Sequence, residues 1–215
     1  MVSAEIGVKL GVSAQIGEME ASGSETNTAN DTTQTSPTRQ SLFATAGYFI
    51  EKDLAFLPGR LGGIGSRISL GYDNIAHDLD LGTANNVRAE SLGAAGAVVV
   101  TTNHSLNAEV TGFETVYATI NITDWLYVKA GNVTVDLNTK FTGASSDSTK
   151  NHELDGTVMG FGVEKTSENG MFFRLEYNDY EIDGKSVSSG TNSEYTAKLK
   201  DVSGQTGRIS IGKAF

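Results

Sequence analysis

Three histidines, His77, His104 and His152, are the side chains best suited to general-base work, because imidazole changes charge near neutral pH. Asp73, Asp78 and Asp80 stand close to His77 and serines are frequent in the same polar stretches, which is the raw material of a hydrolytic site. No nucleophile motif accompanies the histidines, and solvated loop residues explain the same pattern. The run His77-Asp78-Leu79-Asp80 carries metal-donor types, but carboxylates are common in acidic loops. The expectation is therefore a protein that is not an enzyme, with no metal and no cofactor, and a rim hydrolase as the lesser reading.

A second set of ionisable residues says more. Glu5, Lys9, Arg67, Asp73, Glu164, Arg174, Glu176 and Arg208 all alternate with apolar residues rather than standing in polar runs. The stretch 2–17, VSAEIGVKLGVSAQIG, shows how: every even position from Val2 to Ile16 is apolar, and every odd one between them is small, polar or charged. Alternate side chains of a strand point to opposite faces, so this is a two-faced β-strand. The same alternation returns in 40–51, 64–73, 105–122, 125–137, 157–165, 171–179 and up to Phe215, giving eight strands. In 125–137 the apolar set moves from Leu126, Val128 and Ala130 to Val133, Val135 and Leu137, a change of parity that predicts a bulge near Gly131–Asn132.

The connections alternate in length. Long polar ones are expected at about 21–39, 81–104, 142–152 and 184–194, and shorter ones at 52–63, 123–124 and 167–170. Such a meander, with both termini on the turn side, has the form of an outer-membrane barrel. The polar faces decide which side meets lipid. Glycines and a few long charged residues suit a narrow lumen, where small residues make room for ions that pair with one another. Aromatics near strand ends (Tyr48, Tyr72, Trp125, Tyr127, Phe173, Tyr177, Phe215) fit interfacial girdles. The competing reading is a soluble calyx with the apolar face as its core.

Bulk composition sets outer bounds. A net charge of −10 argues against nucleic acid as a partner, and the absence of cysteine removes disulfides and thiolate sites. No run of about 18 apolar residues exists, which excludes a membrane-spanning helix and leaves a spanning barrel open. Strand character begins at residue 2 with no basic-then-apolar leader, so no signal peptide is expected here, and for an exported chain Met1 is expected to stand in place of a cleaved one. Residues 92–100, LGAAGAVVV, are an apolar run inside a polar connection, either a strand extended above the membrane or a contact patch.

Eight strands, segments such as GFGVEK and FFRLEYND, and a terminal Phe215 after alternating Ile209 and Ile211 resemble the OmpA/OmpX-type small outer-membrane β-barrels of Gram-negative bacteria. The resemblance covers essentially the whole chain and implies a single domain, 1–215, an all-β, eight-stranded antiparallel up-and-down transmembrane barrel. It implies outer-membrane lipid as surroundings and the barrel-assembly machinery as reader of Ile209, Ile211 and Phe215. Lys213 departs from the apolar or aromatic residue usual at that place in the signal. The job then lies in the acidic loops: adhesion, surface interaction through an extracellular partner, or membrane integrity. A small channel or ligand-binding barrel is the alternative, and oligomerisation is left open.

Overall fold

A computed structural model describes residues 7–27, 32–56, 62–76, 78–91, 99–142, 148–189 and 195–215. Eleven strand segments follow one another: β1 (Val8–Asn27), β2 (Thr32–Asp53), β3 (Ile68–Ile75), β4 (Leu79–Ser91), β5 (Val99–Asn121) and β6 (Leu126–Thr142). Then come β7 (Ser148–Thr166), β8 (Met171–Ile182), β9 (Ser186–Ser189), β10 (Tyr195–Leu199) and β11 (Val202–Ala214). A four-residue helical turn, α1 (Gly62–Gly65), precedes β3. β3 with β4, β8 with β9, and β10 with β11 each form one stave, so the wall has eight.

The sheet runs β11-β8-β7-β6-β5-β3-β2-β1, and β1 returns to β11 along the register Lys9↔Ala214 to Glu20↔Ser203. Every ladder is antiparallel. Closure leaves no open edge at membrane depth, which hydrocarbon demands because it offers no partner to a free N–H or C=O. At the turn end, Ser167-Glu168-Asn169-Gly170 is a tight turn. Gly170 takes φ +82° and donates to the Ser167 carbonyl at 2.9 Å, while Asn169 Oδ1 accepts from the Met171 amide at 3.1 Å.

Pairing continues well into the stretches expected to be long loops. β1 and β2 stay in register to Asn27↔Thr32, β4 pairs β5 to Ser91↔Val99, and β6 pairs β7 to Phe141↔Ser148. These segments are rich in Ser, Thr and Asn on both faces, so they show no alternation, yet a backbone ladder does not require it. Toward the loop end the wall divides. The last links between the halves are Ala76 N–H to Ala46 O at 3.1 Å and Asp183 N–H to Asp155 O at 2.8 Å. Beyond them, among the described residues, β4-β5-β6-β7 and β9-β10-β1-β2 pair only within themselves. Of the apolar run 92–100, residues 92–98 lie outside the described residues, and Val99 and Val100 open β5.

The bulge expected near Gly131–Asn132 is not there. Pairing through those residues is unbroken on both sides, Tyr117↔Gly131↔Val158 and Val116↔Asn132↔Thr157. The parity changes because the surroundings change, not the strand. Tyr127, Lys129, Val133, Val135 and Leu137 all face inward, and Val133 and Val135 are each 1% exposed. Outward-facing residues run the other way, from Leu126, Val128 and Ala130 to Asn132, Thr134 and Asp136. The bulge lies on β5, between Thr111 and Glu114, where Gly112 adopts φ +59° and both Val110 and Phe113 turn inward.

The whole barrel shares this inversion. Toward the turn end its outside is apolar, with Leu42 80%, Met159 69%, Ile16 67% and Val116 63% exposed, and its inside is polar. Toward the loop end Glu18, Glu114, Asp155 and Glu181 face out while apolar residues fill the inside. On β1 the outer apolar run 8–16 is nine residues long, within the range of about 9–11 that a tilted spanning strand needs. The turn-end section meets hydrocarbon and the loop-end section meets water. The chain has no cysteine, so single introduced thiols report this boundary cleanly. In vesicles, Thr134→Cys and Glu114→Cys should react with a charged maleimide, whereas Val128→Cys and Val116→Cys should stay protected until lipid is dissolved.

Candidate functional site

The lumen holds the chain's densest chemistry. Four cations and four carboxylates meet there among the described residues, as two chains of alternating charge. In one, Lys9 bonds Glu164, Glu164 takes Arg174 (Nη2 to Oε2, 2.5 Å; Nε to Oε2, 3.1 Å), and Arg174 grips Glu51 bidentately at 2.6 and 2.8 Å. In the other, Lys129 donates to Glu176 Oε1 at 3.0 Å, Arg208 lies 3.8 Å from the same oxygen, and Arg208 bonds Asp73. The sum of charge is zero, so no net charge is stranded away from water.

Two tyrosines tie the chains together. Tyr117 donates to Glu51 at 2.8 Å and carries Lys129 over its ring at 4.3 Å. Tyr127 donates to Glu176 at 2.5 Å, and its ring lies 4.9 Å from the Arg174 guanidinium, which also packs on Phe49 and Phe172 at 5.0 and 5.5 Å. Glycine on the opposing strand makes each ring fit: a side chain at Gly71 would meet the Tyr117 ring, and one at Gly162 the Tyr127 ring. Next to this network, toward the loop end, Met19, Val110, Phe113, Val133, Leu154, Tyr180 and others form an apolar layer, with Phe113 edge-on to Tyr180 at 5.4 Å. The lumen thus carries two successive layers, one of ions and one of hydrocarbon.

Of the residues singled out from the sequence, the structure brings Lys9, Asp73, Glu164, Arg174, Glu176 and Arg208 into this network. Arg67 is not among them. It precedes β3, is exposed at the turn end and donates to the Ile122 carbonyl at 3.4 Å, because the inward alternation of that stave starts only with Ser69. Glu5 lies outside the described residues, as does His77. His104 sits on β5 opposite Asn86, and His152 on β7 opposite Leu137. Glu51, Lys129, Tyr117 and Tyr127 were missed as site residues. Tyr127, expected in a girdle, is 2% exposed inside the lumen. Their signal was available: Glu51 follows outward-facing Ile50, and Lys129 stands between Val128 and Ala130, the parity that marks Arg174. Ile209, Ile211 and Phe215 face outward, the Phe215 amide donating to the Val8 carbonyl at 2.9 Å.

A closed antiparallel barrel with an apolar outer band and a charged lumen defines the build of a small eight-stranded membrane β-barrel. No family model and no curated protein matches the chain. Among solved structures it is similar to Ail of Yersinia pestis, crystallised with the heparin analogue sucrose octasulfate, at 9% identity over 95% of this chain and 99% of that one (TM-score 0.37). It is similar to the outer membrane protease OmpT of Escherichia coli at 9% identity, covering 96% and 97% (TM-score 0.46), and to Neisserial surface protein A at 10%, covering 94% and 98% (TM-score 0.34). These likenesses are of overall build.

Replacing Arg174 with Met should cost about 3–5 kcal/mol, since Glu51 and Glu164 are then left as buried charges short of a partner. Adding Glu51→Gln to that variant should recover part of the loss, read as non-additivity in urea unfolding from vesicles. In the same assay Gly162→Val should cost about 1–3 kcal/mol through collision with Tyr127. Gly207→Ala, where an added Cβ meets nothing within 4 Å, should change stability by less than about 0.5 kcal/mol.

Proposed function

We propose that this protein is a closed, non-enzymatic structural and surface barrel of the outer membrane, whose loop end serves adhesion, surface interaction or membrane integrity. The observation that carries the reading is the filled lumen. A charge-neutral network and an apolar layer occupy successive levels of the bore, so the fold invests its interior in holding the wall rather than in passing solutes. The strands that project past the apolar band continue the wall outward as two four-stranded arcs. In this reading Ile209, Ile211 and Phe215 face outward where the barrel-assembly machinery would read them, and an extracellular partner would meet the projecting arcs.

The alternative, a small channel or ligand-binding barrel, makes the opposite use of the same charges. Planar-bilayer recording separates the two. Protein whose insertion is verified by resistance to external protease should give a silent trace at moderate voltage. Discrete conductance steps that change with Glu176→Gln would reject the structural reading and make the ion network a pore lining.

A further inference from the structure

The two rims of the apolar band differ in charge. On the loop side, the first polar outward positions are acidic or neutral: Glu18 on β1, Asn74 on β3, Glu114 on β5, Asn132 on β6, Thr157 on β7 and Asp179 on β8. On the turn side, the outward positions that end the band are cationic on three strands, Lys52 on β2, Lys165 on β7 and Lys213 on β11, and exposed Arg67 stands in the turn just before β3. Two of them stand beside an exposed aromatic ring. Lys52 lies 5.0 Å from the Phe56 ring and Lys213 5.6 Å from Phe215. Trp125, 58% exposed, lies in the turn whose backbone meets the segments that carry the other two. Its carbonyl accepts from the Glu164 amide, next to Lys165, and the Arg67 guanidinium reaches the carbonyl of Ile122, three residues before it.

Aromatic rings settle at the level of lipid headgroups, and cations at that level attract phosphates. We infer that the turn-side rim, Lys52, Arg67, Lys165 and Lys213 with their aromatic neighbours, is a belt that gathers anionic glycerophospholipid around the barrel. Asp53 pairs with Lys52 at 3.0 Å and offsets that one cation, while Asp124 and Glu168 lie in the turns beyond the rim and leave the charge of Arg67, Lys165 and Lys213. The acidic loop-side rim repels the same headgroup, so the barrel prefers the orientation that sets its turns in the leaflet richer in anionic phospholipid. The inference rests on the membrane-barrel reading, because the rim has this meaning only if the band beside it meets lipid.

Trp125 is the chain's one tryptophan, which makes the test direct. The protein is folded into mixed phosphatidylglycerol and phosphatidylcholine vesicles of one composition, with the bromine quencher on either lipid in turn. Trp125 should be quenched more by brominated phosphatidylglycerol, a local preference on the order of fivefold per cation at low salt. The preference should shrink in 1 M salt, fall toward unity in Arg67→Gln/Lys165→Gln, and survive in the charge-keeping Arg67→Lys/Lys165→Arg. Equal quenching by the two lipids in the parent protein overturns the belt and leaves the membrane barrel standing. No quenching by either places Trp125 outside the headgroup level and overturns the belt as well, the membrane barrel being judged separately by protection of Val128→Cys.

Discussion

Hydrocarbon accepts no unpaired backbone group, and everything else in this molecule follows from the way eight staves meet that demand. Closing β1 on β11 removes the edges, but eight staves enclose a bore only about as wide as the side chains inside it. That bore must then be filled with groups that suit one another. The chain fills it with four cations and four carboxylates, with aromatic rings laid over the guanidinium of Arg174, and with glycines where the rings of Tyr117 and Tyr127 need room. Each ion is costly to bury alone; joined into alternating chains with no net charge they become the brace of the wall.

One continuous sheet serves two solvents. Along β6 or β8 the inward face changes from ions to hydrocarbon as the outward face changes from hydrocarbon to carboxylates and amides. The loop-end section is thus packed like a water-soluble β protein, with Val133, Val135, Leu154 and Tyr180 in its core, while the turn-end section is packed the other way round. β6 crosses the boundary in unbroken register on both sides at Gly131 and Asn132, so the two sections share one sheet.

Much of this was legible in the residues. Period-two alternation placed the staves, and the lumen parity of Arg174, Glu176 and Arg208 followed from their apolar neighbours Phe173, Leu175 and Ile209. Three things were hidden. The upper strands carry Ser, Thr and Asn on both faces, so they read as loops although their backbones are fully laddered. The exchange of polarity in β6 imitates a bulge, because a pattern records which residues are apolar and not which solvent they meet. Arg67 has the right type and neighbours but stands one step before its stave turns inward. The pairing of particular ions, such as Glu51 with Arg174, joins residues 123 positions apart and depends on the register of staves around the closed sheet, which no single strand contains.

The central claim, that the apolar band faces lipid around a packed, ion-braced lumen, is tested most directly by folding the chain into lipid vesicles and comparing gel migration with and without boiling alongside far-UV circular dichroism. A β signal that forms only with lipid, and a compact band that shifts on boiling, is the result this structure predicts. A β-rich monomer that is soluble without lipid or detergent would contradict it and turn the apolar face inward.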